Sequence, residues 1–400
     1  MRPAGIVLDV TRLTSRVGAA ALTGIDRVEN AYLSELLRRD MPLHGLLRTP
    51  AGYLLLGRDG LELLTALISG ARAPGLLDPL GQIFRKRPEQ VRRAEADLRR
   101  KAKGRCVRMR LATMLSKHVA PGTAYLNVGH SNLSRSTLAA LHDAGLGSAV
   151  MIHDTIPLDL PETQRPGTPA RFVRRLAAAA RARTILTPTR AVAASLRPHL
   201  GPGHPPLIPV HLGITLAAPQ PGALATRFTP EGRYFLCTGT IDARKNQALL
   251  LKAWAELGPE APALVLAGGR GWGDGALFAQ LDEAAQAGGR VVELRGLDDG
   301  ALAALTEGAE ALLHPSHAEG FGIPPLDAAL RGIPVICSDI PAHREVLGAY
   351  PVYLRSTEMY HWSNAVREAV QHEQRDQCRP QIRPHHPTWD AHLETVLAAI

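Results

Sequence analysis

The chain has 400 residues, of which 45% are hydrophobic and 21% are charged, and its formal net charge is +9. This length and balance predict a globular protein with room for two domains. No run of about 18 unbroken apolar residues is present, which excludes a segment that spans a bilayer. We therefore expect a soluble or peripheral protein.

The N-terminus and the cysteines indicate a cytoplasmic location. The first residues, MRPAGIVLDVTRL, contain only a short apolar run that Asp9 interrupts, so they predict a first strand and not a signal peptide. The cysteines lie far apart without the spacing of a metal site, so we expect reduced thiols and no zinc. They are Cys106, Cys237, Cys337 and Cys378. The expected place is the cytoplasm, including the inner face of the cytoplasmic membrane.

Apolar runs alternate with helical periods along the chain, which predicts parallel sheets covered by helices. In the first half, strands are predicted near residues 5–10, 124–128, 148–152, 184–188 and 206–211. Helices are predicted near residues 24–39, 60–69, 134–144, 169–182 and 190–199. A proline-rich passage then predicts a linker near residues 217–223, and a second alternating series begins at Tyr234. Two Rossmann-like halves joined in this way leave a cleft between the carboxyl edges of their sheets.

Residues 85–110 hold 12 Lys and Arg against 3 acidic residues. Such a run indicates a solvated helix face or a mobile segment, and the sharper alternatives are an anionic membrane surface, a lipid-linked diphosphate acceptor or nucleic acid. Because no aromatic residues stand between the charges for base stacking, we expect no nucleic-acid partner. Residues 85–117 are treated as a basic insertion in the first domain.

Two stretches of the first half place polar residues where a ligand would enter. Thr23 and Asp26, in the string TGIDRVE, have the spacing of a helix cap and capping box. His153 and Asp154 follow an apolar strand in the string VMIHDTIP, at the carboxyl end where open α/β sheets bind ligands. A plain helix cap and a structural histidine are the alternatives to a ligand contact.

The second series begins with the strand and turn YFLCTGT, which contains Gly239, and continues into IDARKN before an amphipathic helix. Arg244 and Lys245 would supply a planar fork and a mobile point charge, which together suit a diphosphate. The alternative is a pair of solvated surface cations.

Residues 314–346 read HPSHAEGFGIPPLDAALRGIPVICSDIPAHREV. The two glycines of EGFG leave backbone amides uncovered before a helix, where an anionic or hydroxyl-rich ligand is favoured. The helix is predicted to begin at Pro325 and to end near Arg331, which places Asp327 in its first turn. An aspartate in that position is also a common complement to the helix dipole.

The string EGFGIPPLD resembles the E-G-F-G-x-P-x-x-E donor motif of retaining glycosyltransferases of family 4, the glycosyl transferases group 1. The matching residues are Glu319, Gly320, Phe321, Gly322 and Pro324. The segment GTxxxRKN resembles the phosphate-binding segment of the same family, and TGIDRVE resembles a bacterial subgroup of it. The resemblance runs in the same order along nearly the whole chain.

This resemblance implies an α/β protein of the GT-B fold, with two Rossmann-like domains facing each other across a cleft. Residues 1–215 would form the acceptor-side domain and residues 216–380 the nucleotide-sugar donor domain. Residues 381–400 would carry a helix that crosses back to the first domain.

The family pattern also implies roles for residues of the second domain. Glu319 would contact the hydroxyls of the donor sugar, and Asp327 would replace the second glutamate of the motif, which grips the ribose. Leu297 would give a backbone contact to the base. The remaining donor contacts would come from Gly239, Arg244, Lys245, Gly320, Phe321 and Gly322.

In the first domain, the same resemblance places His153 beside the reacting sugar. Gly24, Arg27 and Asp154 would contact the acceptor. With no DxD motif in a suitable loop, catalysis is expected to need no metal and no cofactor beyond the nucleotide sugar substrate.

The expected activity is retaining transfer of a sugar, with mannose favoured, from a GDP- or UDP-linked donor to a glycan or lipid-linked acceptor in cell-surface polysaccharide synthesis. Two alternatives remain open. One is a GT-B sugar-nucleotide epimerase, and the other is a non-catalytic module that binds a sugar nucleotide.

Overall fold

The structure is a computed structural model that describes residues 2–19, 22–229, 232–272, 275–286, 290–371 and 384–400. Two open α/β sheets lie in sequence along the chain. The predicted fold class is confirmed, whereas the domain boundaries stay a prediction, and the boundary near residue 380 and Cys378 fall outside the described residues.

The first sheet has the strand order β4-β3-β2-β1-β5-β6-β7-β8, and the second has the order β11-β10-β9-β12-β13-β14. The strands of the first are Ile6–Asp9 (β1), Leu43–Thr49 (β2), Gly52–Leu56 (β3), Ala102–Cys106 (β4), Ala124–Asn127 (β5), Gly147–Met151 (β6), Thr184–Thr187 (β7) and Leu207–Pro209 (β8). The strands of the second are Tyr234–Thr238 (β9), Ala263–Ala267 (β10), Val291–Leu294 (β11), Leu312–His314 (β12), Val335–Ser338 (β13) and Val352–Leu354 (β14).

Helices cover both faces of these sheets. In the first half they are Thr11–Thr14 (α1), Gly24–Arg38 (α2), Arg58–Ile68 (α3), Pro79–Ile83 (α4), Glu89–Lys101 (α5), Leu111–His118 (α6), Arg135–Asp143 (α7), Ile156–Asp159 (α8), Thr168–Ala179 (α9) and Arg190–Leu200 (α10). In the second they are Pro221–Ala225 (α11), Gln247–Leu257 (α12), Gly275–Gln286 (α13), Asp299–Gly308 (α14), Ile323–Leu330 (α15), Pro341–Leu347 (α16), Met359–Gln371 (α17) and Trp389–Ala399 (α18). Short 3-10 turns occur at Arg108–Arg110, Pro161–Thr163 and Ala243–Lys245. No helix in the described ranges is long and apolar enough to cross a membrane.

Strand direction decides where the ligand edge lies. Every pairing in the second sheet is parallel, and in the first only β3 runs against its neighbours β2 and β4. The carboxyl ends of all strands but β3 therefore meet at one edge of each sheet, where such folds bind ligands.

The basic segment is built into the first sheet, so the prediction of a mobile segment is wrong. Helix α5 buries Val91, Ala94 and Leu98, which share one helical face. The charged residues Glu95, Asp97 and Arg99 of the same helix are buried as well. Strand β4 follows at once and pairs with β3. The strands β2 and β3 were also absent from the sequence-based prediction.

The last helix, α18, packs on α2 of the first half. The hydroxyl of Tyr32 lies 2.7 Å from Nε2 of His392, and Nδ1 of His392 lies 2.7 Å from the carbonyl oxygen of His211. Leu393 and Val396 are buried in the same apolar cluster as Leu33. The end of the chain thus reaches back to its beginning.

Candidate active site

The EGFG loop (residues 319–322) ends at a glycine with left-handed backbone. Gly322 has a φ of 88° and precedes α15, which begins at Ile323. The predicted start at Pro325 is therefore two residues late, and Asp327 lies beyond the first turn instead of within it. Prolines fit inside that turn because the N–H groups they lack have no intrahelical partner there.

The EGFG loop also touches the carboxyl edge of the first sheet. A Cβ on Gly320 would lie 1.9 Å from the carbonyl oxygen of His153, so only glycine allows this approach. The hydroxyl of Thr189 donates to the carbonyl oxygen of Gly320 at 3.1 Å. The buried ring of Phe321 packs against the ring of His211 at 5.7 Å between centroids. The loop thus joins the two halves of the chain.

Glu319 is the centre of a cluster of cations and histidine. Its Oε1 atom pairs with Nζ of Lys245 and lies 3.5 Å from Nη1 of Arg244. Nε2 of His314 lies 3.0 Å from the same oxygen. The side chains of Glu319 and Lys245 are each only 10% exposed. Three residues expected to contact the donor therefore meet in one place.

Electrostatics hold this cluster in a defined protonation state. Burial alone would raise the pKa of Glu319, but the charges of Lys245 and Arg244 and the hydrogen bond from His314 hold that pKa well below its usual value. Burial, reinforced by the charge of Lys245, lowers the pKa of His314 to about 3. A neutral imidazole therefore donates Nε2–H to an ionised carboxylate.

The turn after β9 sets the position of the cations. Gly239 has a φ of 117°, and its carbonyl oxygen would clash with a Cβ on Gly268 at 1.9 Å. Asp242 accepts from the backbone N–H of Lys245 through Oδ1 at 3.1 Å. Asn246 occupies the N-cap position of α12, but its side chain donates to the carbonyl oxygen of Ser356 at 2.8 Å and makes no capping hydrogen bond.

His153 and Asp154 lie where the first sheet faces this cluster. Nε2 of His153 lies 2.7 Å from the carbonyl oxygen of Val128, and burial lowers the pKa of His153 to about 4. The ring is therefore neutral and uses one nitrogen structurally, which leaves Nδ1 for a ligand. Burial also raises the pKa of Asp154, against the charge of the nearby Arg244, which lowers it.

Gly24 and Arg27 begin α2, but the structure gives Arg27 a partner of its own. Nη2 of Arg27 lies 2.5 Å from Oδ1 of Asp299, an exposed ion pair between the two halves. Thr23 donates its N–H to Oδ2 of Asp26 at 3.3 Å, in agreement with the predicted capping box. A Cβ on Gly24 would meet open space.

A site of this kind suits a ligand with a diphosphate and several hydroxyls. Two cations and uncovered loop amides offer positive potential, and an ionised carboxylate beside them accepts hydroxyl donors. Within the described ranges, no group of three or more His, Cys, Asp or Glu residues could hold a metal ion.

Comparison with known proteins now assigns the second half of the chain. Residues 225–383 match the family model described as Glycosyl transferases group 1. These residues belong to the glycosyl transferases group 1 family.

Curated relatives support this assignment in part of their length. The chain is 39% identical to O-antigen chain mannosyltransferase B of Escherichia coli over 118 residues, which are 29% of this chain and 31% of the relative. It is 27% identical to the serotype-specific mannosyltransferase WbdA of Escherichia coli over 263 residues, which are 61% of this chain and 31% of the relative. The matches thus span about a third of the length of these relatives.

Solved structures show the GT-B fold along nearly the whole chain. Anabaena Alr3699/HepE, solved in complex with UDP-glucose, superposes with a TM-score of 0.61 at 15% identity, over 99% of this chain and 94% of that one. Sucrose-phosphate synthase from Thermosynechococcus elongatus gives a TM-score of 0.59 at 16% identity, with the same coverage.

Asp327 of the group 1 region is held by its own helix. Arg331 donates Nε–H to Oδ2 of Asp327 at 2.8 Å and a second N–H to the carbonyl oxygen of Ala217 at 2.9 Å. Asp327 therefore does not join the cluster around Glu319. Its side chain is still partly exposed, so its carboxylate is accessible to a ligand. Leu297 is half-buried after β11, and its side chain packs against the core.

Sequence reasoning missed Glu345 of the group 1 region. Its two carboxylate oxygens accept from the backbone N–H groups of Arg190 and Ala191, at 2.8 and 2.9 Å, at the start of α10 in the other half. Nε2 of His211 lies 3.0 Å from the same carboxylate. Glu345 lies inside the stretch that carries the donor motif, but no local pattern reveals a partner in another domain.

Proposed function

We propose that this chain is a retaining glycosyltransferase that moves a sugar from a nucleotide diphosphate sugar to an acceptor hydroxyl. The observation that supports the proposal is the meeting of Arg244, Lys245 and Glu319 in one cluster, with Gly320 seated against the strand end of His153. The residues proposed to bind the diphosphate and the sugar are then adjacent. Gly320, the residue after Glu319, already touches the half of the chain that would bind the acceptor.

In the proposed reaction, the bond between the anomeric carbon and the diphosphate oxygen breaks while negative charge builds on the leaving diphosphate. Arg244 and Lys245 neutralise that charge, which is the contribution that such sites make best. The acceptor oxygen bonds to the same face of the anomeric carbon, and its proton passes to an oxygen of the leaving diphosphate. The configuration at that carbon is therefore retained.

Glu319 acts in this proposal by orienting the sugar and not as a nucleophile. A carboxylate that already accepts from Lys245 and His314 is stabilised as an anion, which makes it a weaker nucleophile. Nδ1 of His153 accepts a hydrogen bond from a sugar hydroxyl without adding charge. A covalent glycosyl adduct on Glu319, trapped by mass spectrometry, would contradict this division of roles.

Mannose is the proposed sugar and GDP the proposed carrier, with UDP as the comparison. The support is that the curated relatives are mannosyltransferases, one of which is O-antigen chain mannosyltransferase B. The proposed acceptor is a glycan, free or lipid-linked, of a cell-surface polysaccharide assembled at the cytoplasmic side of the membrane. Catalysis is proposed to need no metal, so activity lost with a chelator and restored by Mn²⁺ would contradict it.

A panel of nucleotides and nucleotide sugars, screened by thermal unfolding, tests the donor directly. A ligand at 100 times its dissociation constant stabilises the fold by about 2.7 kcal/mol. Arg244→Ala should abolish the stabilisation, whereas Arg367→Ala, which removes an ion-paired arginine from the outer face of α17, should leave it unchanged.

Transfer of mannose with GDP-mannose, followed by NMR of the anomeric proton, then tests the reaction. Isomerised donor in the absence of acceptor would identify an epimerase. Nucleotide binding with neither transfer nor hydrolysis would identify a binding module.

A further inference from the structure

The turn between β4 and α6 exposes apolar side chains that the fold does not need. Met109 is 94% exposed and Val107 is 55% exposed, although the next apolar residue, Leu111, is buried in the core. The turn is fixed at both ends, because Cys106 closes the pairing with β3 and Leu111 begins α6. We call residues 105–110 the basic turn.

Unpaired positive charge surrounds these two side chains. Arg105, Arg108 and Arg110 are exposed, and none forms an ion pair with a carboxylate that the structure describes. The sequence contains no aspartate or glutamate between Asp97 and Asp143. The surface is therefore both cationic and locally apolar, a combination that suits an anionic lipid surface.

Topology places the basic turn at the ligand edge of the first sheet. Strand β4 is antiparallel to β3, which is antiparallel to β2, which is parallel to β1. The carboxyl end of β4 therefore lies at the same edge as the carboxyl end of β6, where His153 emerges. Five strand spacings separate β4 from β6, about 24 Å across the sheet.

We propose that the basic turn docks the protein on an anionic bilayer, with Met109 and Val107 inserted among the headgroups and the three arginines against lipid phosphates. This rests on the proposed function, because it makes the acceptor a lipid-linked one. Docking at this edge turns the cleft toward the membrane, so that an acceptor anchored in the bilayer reaches it without leaving the lipid.

An apolar contribution separates a bilayer from a dissolved polyanion. Arginines alone would bind phosphate, nucleic acid or any acidic surface, whereas Met109 gains free energy only where hydrocarbon is present. Substitution of the methionine and substitution of the arginines therefore report on different parts of the proposal.

Sedimentation with vesicles of phosphatidylglycerol and phosphatidylethanolamine, against vesicles of phosphatidylcholine, is the test. The wild-type chain should bind the vesicles that contain phosphatidylglycerol at least tenfold more tightly than the vesicles of phosphatidylcholine. Arg108→Ser/Arg110→Ser should weaken that binding by about fivefold for each cation lost. Met109→Ser should weaken it by about tenfold.

Matched controls come from the opposite edge of the same sheet and from the second half. Arg181→Ser/Arg183→Ser removes two exposed arginines before the amino end of β7, and Tyr360→Ser removes an exposed apolar side chain from α17. Both should bind vesicles like the wild type, and all variants should unfold at the wild-type temperature.

The proposal would be overturned if the wild type bound both kinds of vesicle equally. It would also be overturned if Arg181→Ser/Arg183→Ser lost as much binding as Arg108→Ser/Arg110→Ser, or if Met109→Ser bound like the wild type. Binding to duplex DNA that exceeds vesicle binding would replace the lipid partner with nucleic acid. Vesicle binding requires neither donor nor catalysis, so its outcome is independent of the nucleotide screen that tests the proposed function.

Discussion

Glu319 neutralises two cations that would also bind a donor diphosphate. Replacing Glu319 should therefore lower the stability of the fold and strengthen the binding of the nucleotide. Glu319→Gln keeps the shape of the side chain but removes its charge, which leaves Lys245 and Arg244 largely buried without a counter-ion. Breaking a buried ion pair on one side costs about 3 kcal/mol at the lower end of measured cases. For a domain of this size, that lowers the melting temperature by about 6–12 °C.

The nucleotide should reverse that loss. In the wild type, a diphosphate must compete with the carboxylate of Glu319 for Lys245, whereas in Glu319→Gln it meets no competing charge. We expect GDP to bind Glu319→Gln about tenfold more tightly than the wild type, a difference of about 1.4 kcal/mol. The rate of sugar transfer should still fall by at least about 100-fold, because the contact that orients the sugar is lost.

Calorimetric titration with GDP and thermal unfolding with and without GDP measure both effects. Glu310→Gln is the control, because the side chain of Glu310 is about as buried as that of Glu319, pairs with Arg233 at 2.9 Å and lies outside the cluster. It should lower the melting temperature with no gain in GDP affinity. An unchanged melting temperature in Glu319→Gln, together with weaker GDP binding, would refute the reasoning.

Three further substitutions or conditions test other parts of the site. Gly320→Ala would place a Cβ 1.9 Å from the carbonyl oxygen of His153, so the loop would have to move. The rate of sugar transfer should therefore fall at least about 100-fold while GDP binding persists. An unchanged turnover rate would disprove the close approach. Asp327→Glu restores the longer side chain of the family motif, and we expect it to lower the KM for the donor by about fivefold. A raised KM would show that the ion pair with Arg331 requires the shorter side chain. With a pKa of about 4, His153 is neutral above about pH 5, so kcat/KM between pH 5.5 and 8 should show no limb from this residue. A limb near pH 6.5 that disappears in His153→Asn would contradict that protonation state.

The chemistry of the donor side could be predicted from the sequence because it depends on neighbours along the chain. Gly239, Arg244 and Lys245 fall within one strand and turn, and the glycines around Phe321 directly precede a helix. Their meeting with His153 follows from the predicted cleft, because the carboxyl edges of the two sheets face each other across it.

The remaining contacts depend on how distant elements pack. Arg331 lies four residues after Asp327, a spacing that predicts an ion pair on a helix, but its second bond to Ala217 joins the helix to the linker and has no local signal. Strand β4 was missed because its sequence, AKGRC, carries charge on its solvent side, as edge strands do. The helix start at Ile323 was misplaced because two consecutive prolines both fit the first turn.

The carboxylate of Glu345, which completes a helix that belongs to the opposite domain, has a consequence for protein engineering. A hybrid made by exchanging the C-terminal half for that of a related enzyme would leave the amides of Arg190 and Ala191 without this acceptor unless the incoming half supplies one. Thr189 would still cap this helix through the N–H of Val192, and the loss of the additional acceptor would cost about 1 kcal/mol. Any hybrid built on this scaffold should therefore keep a glutamate at position 345 together with His211.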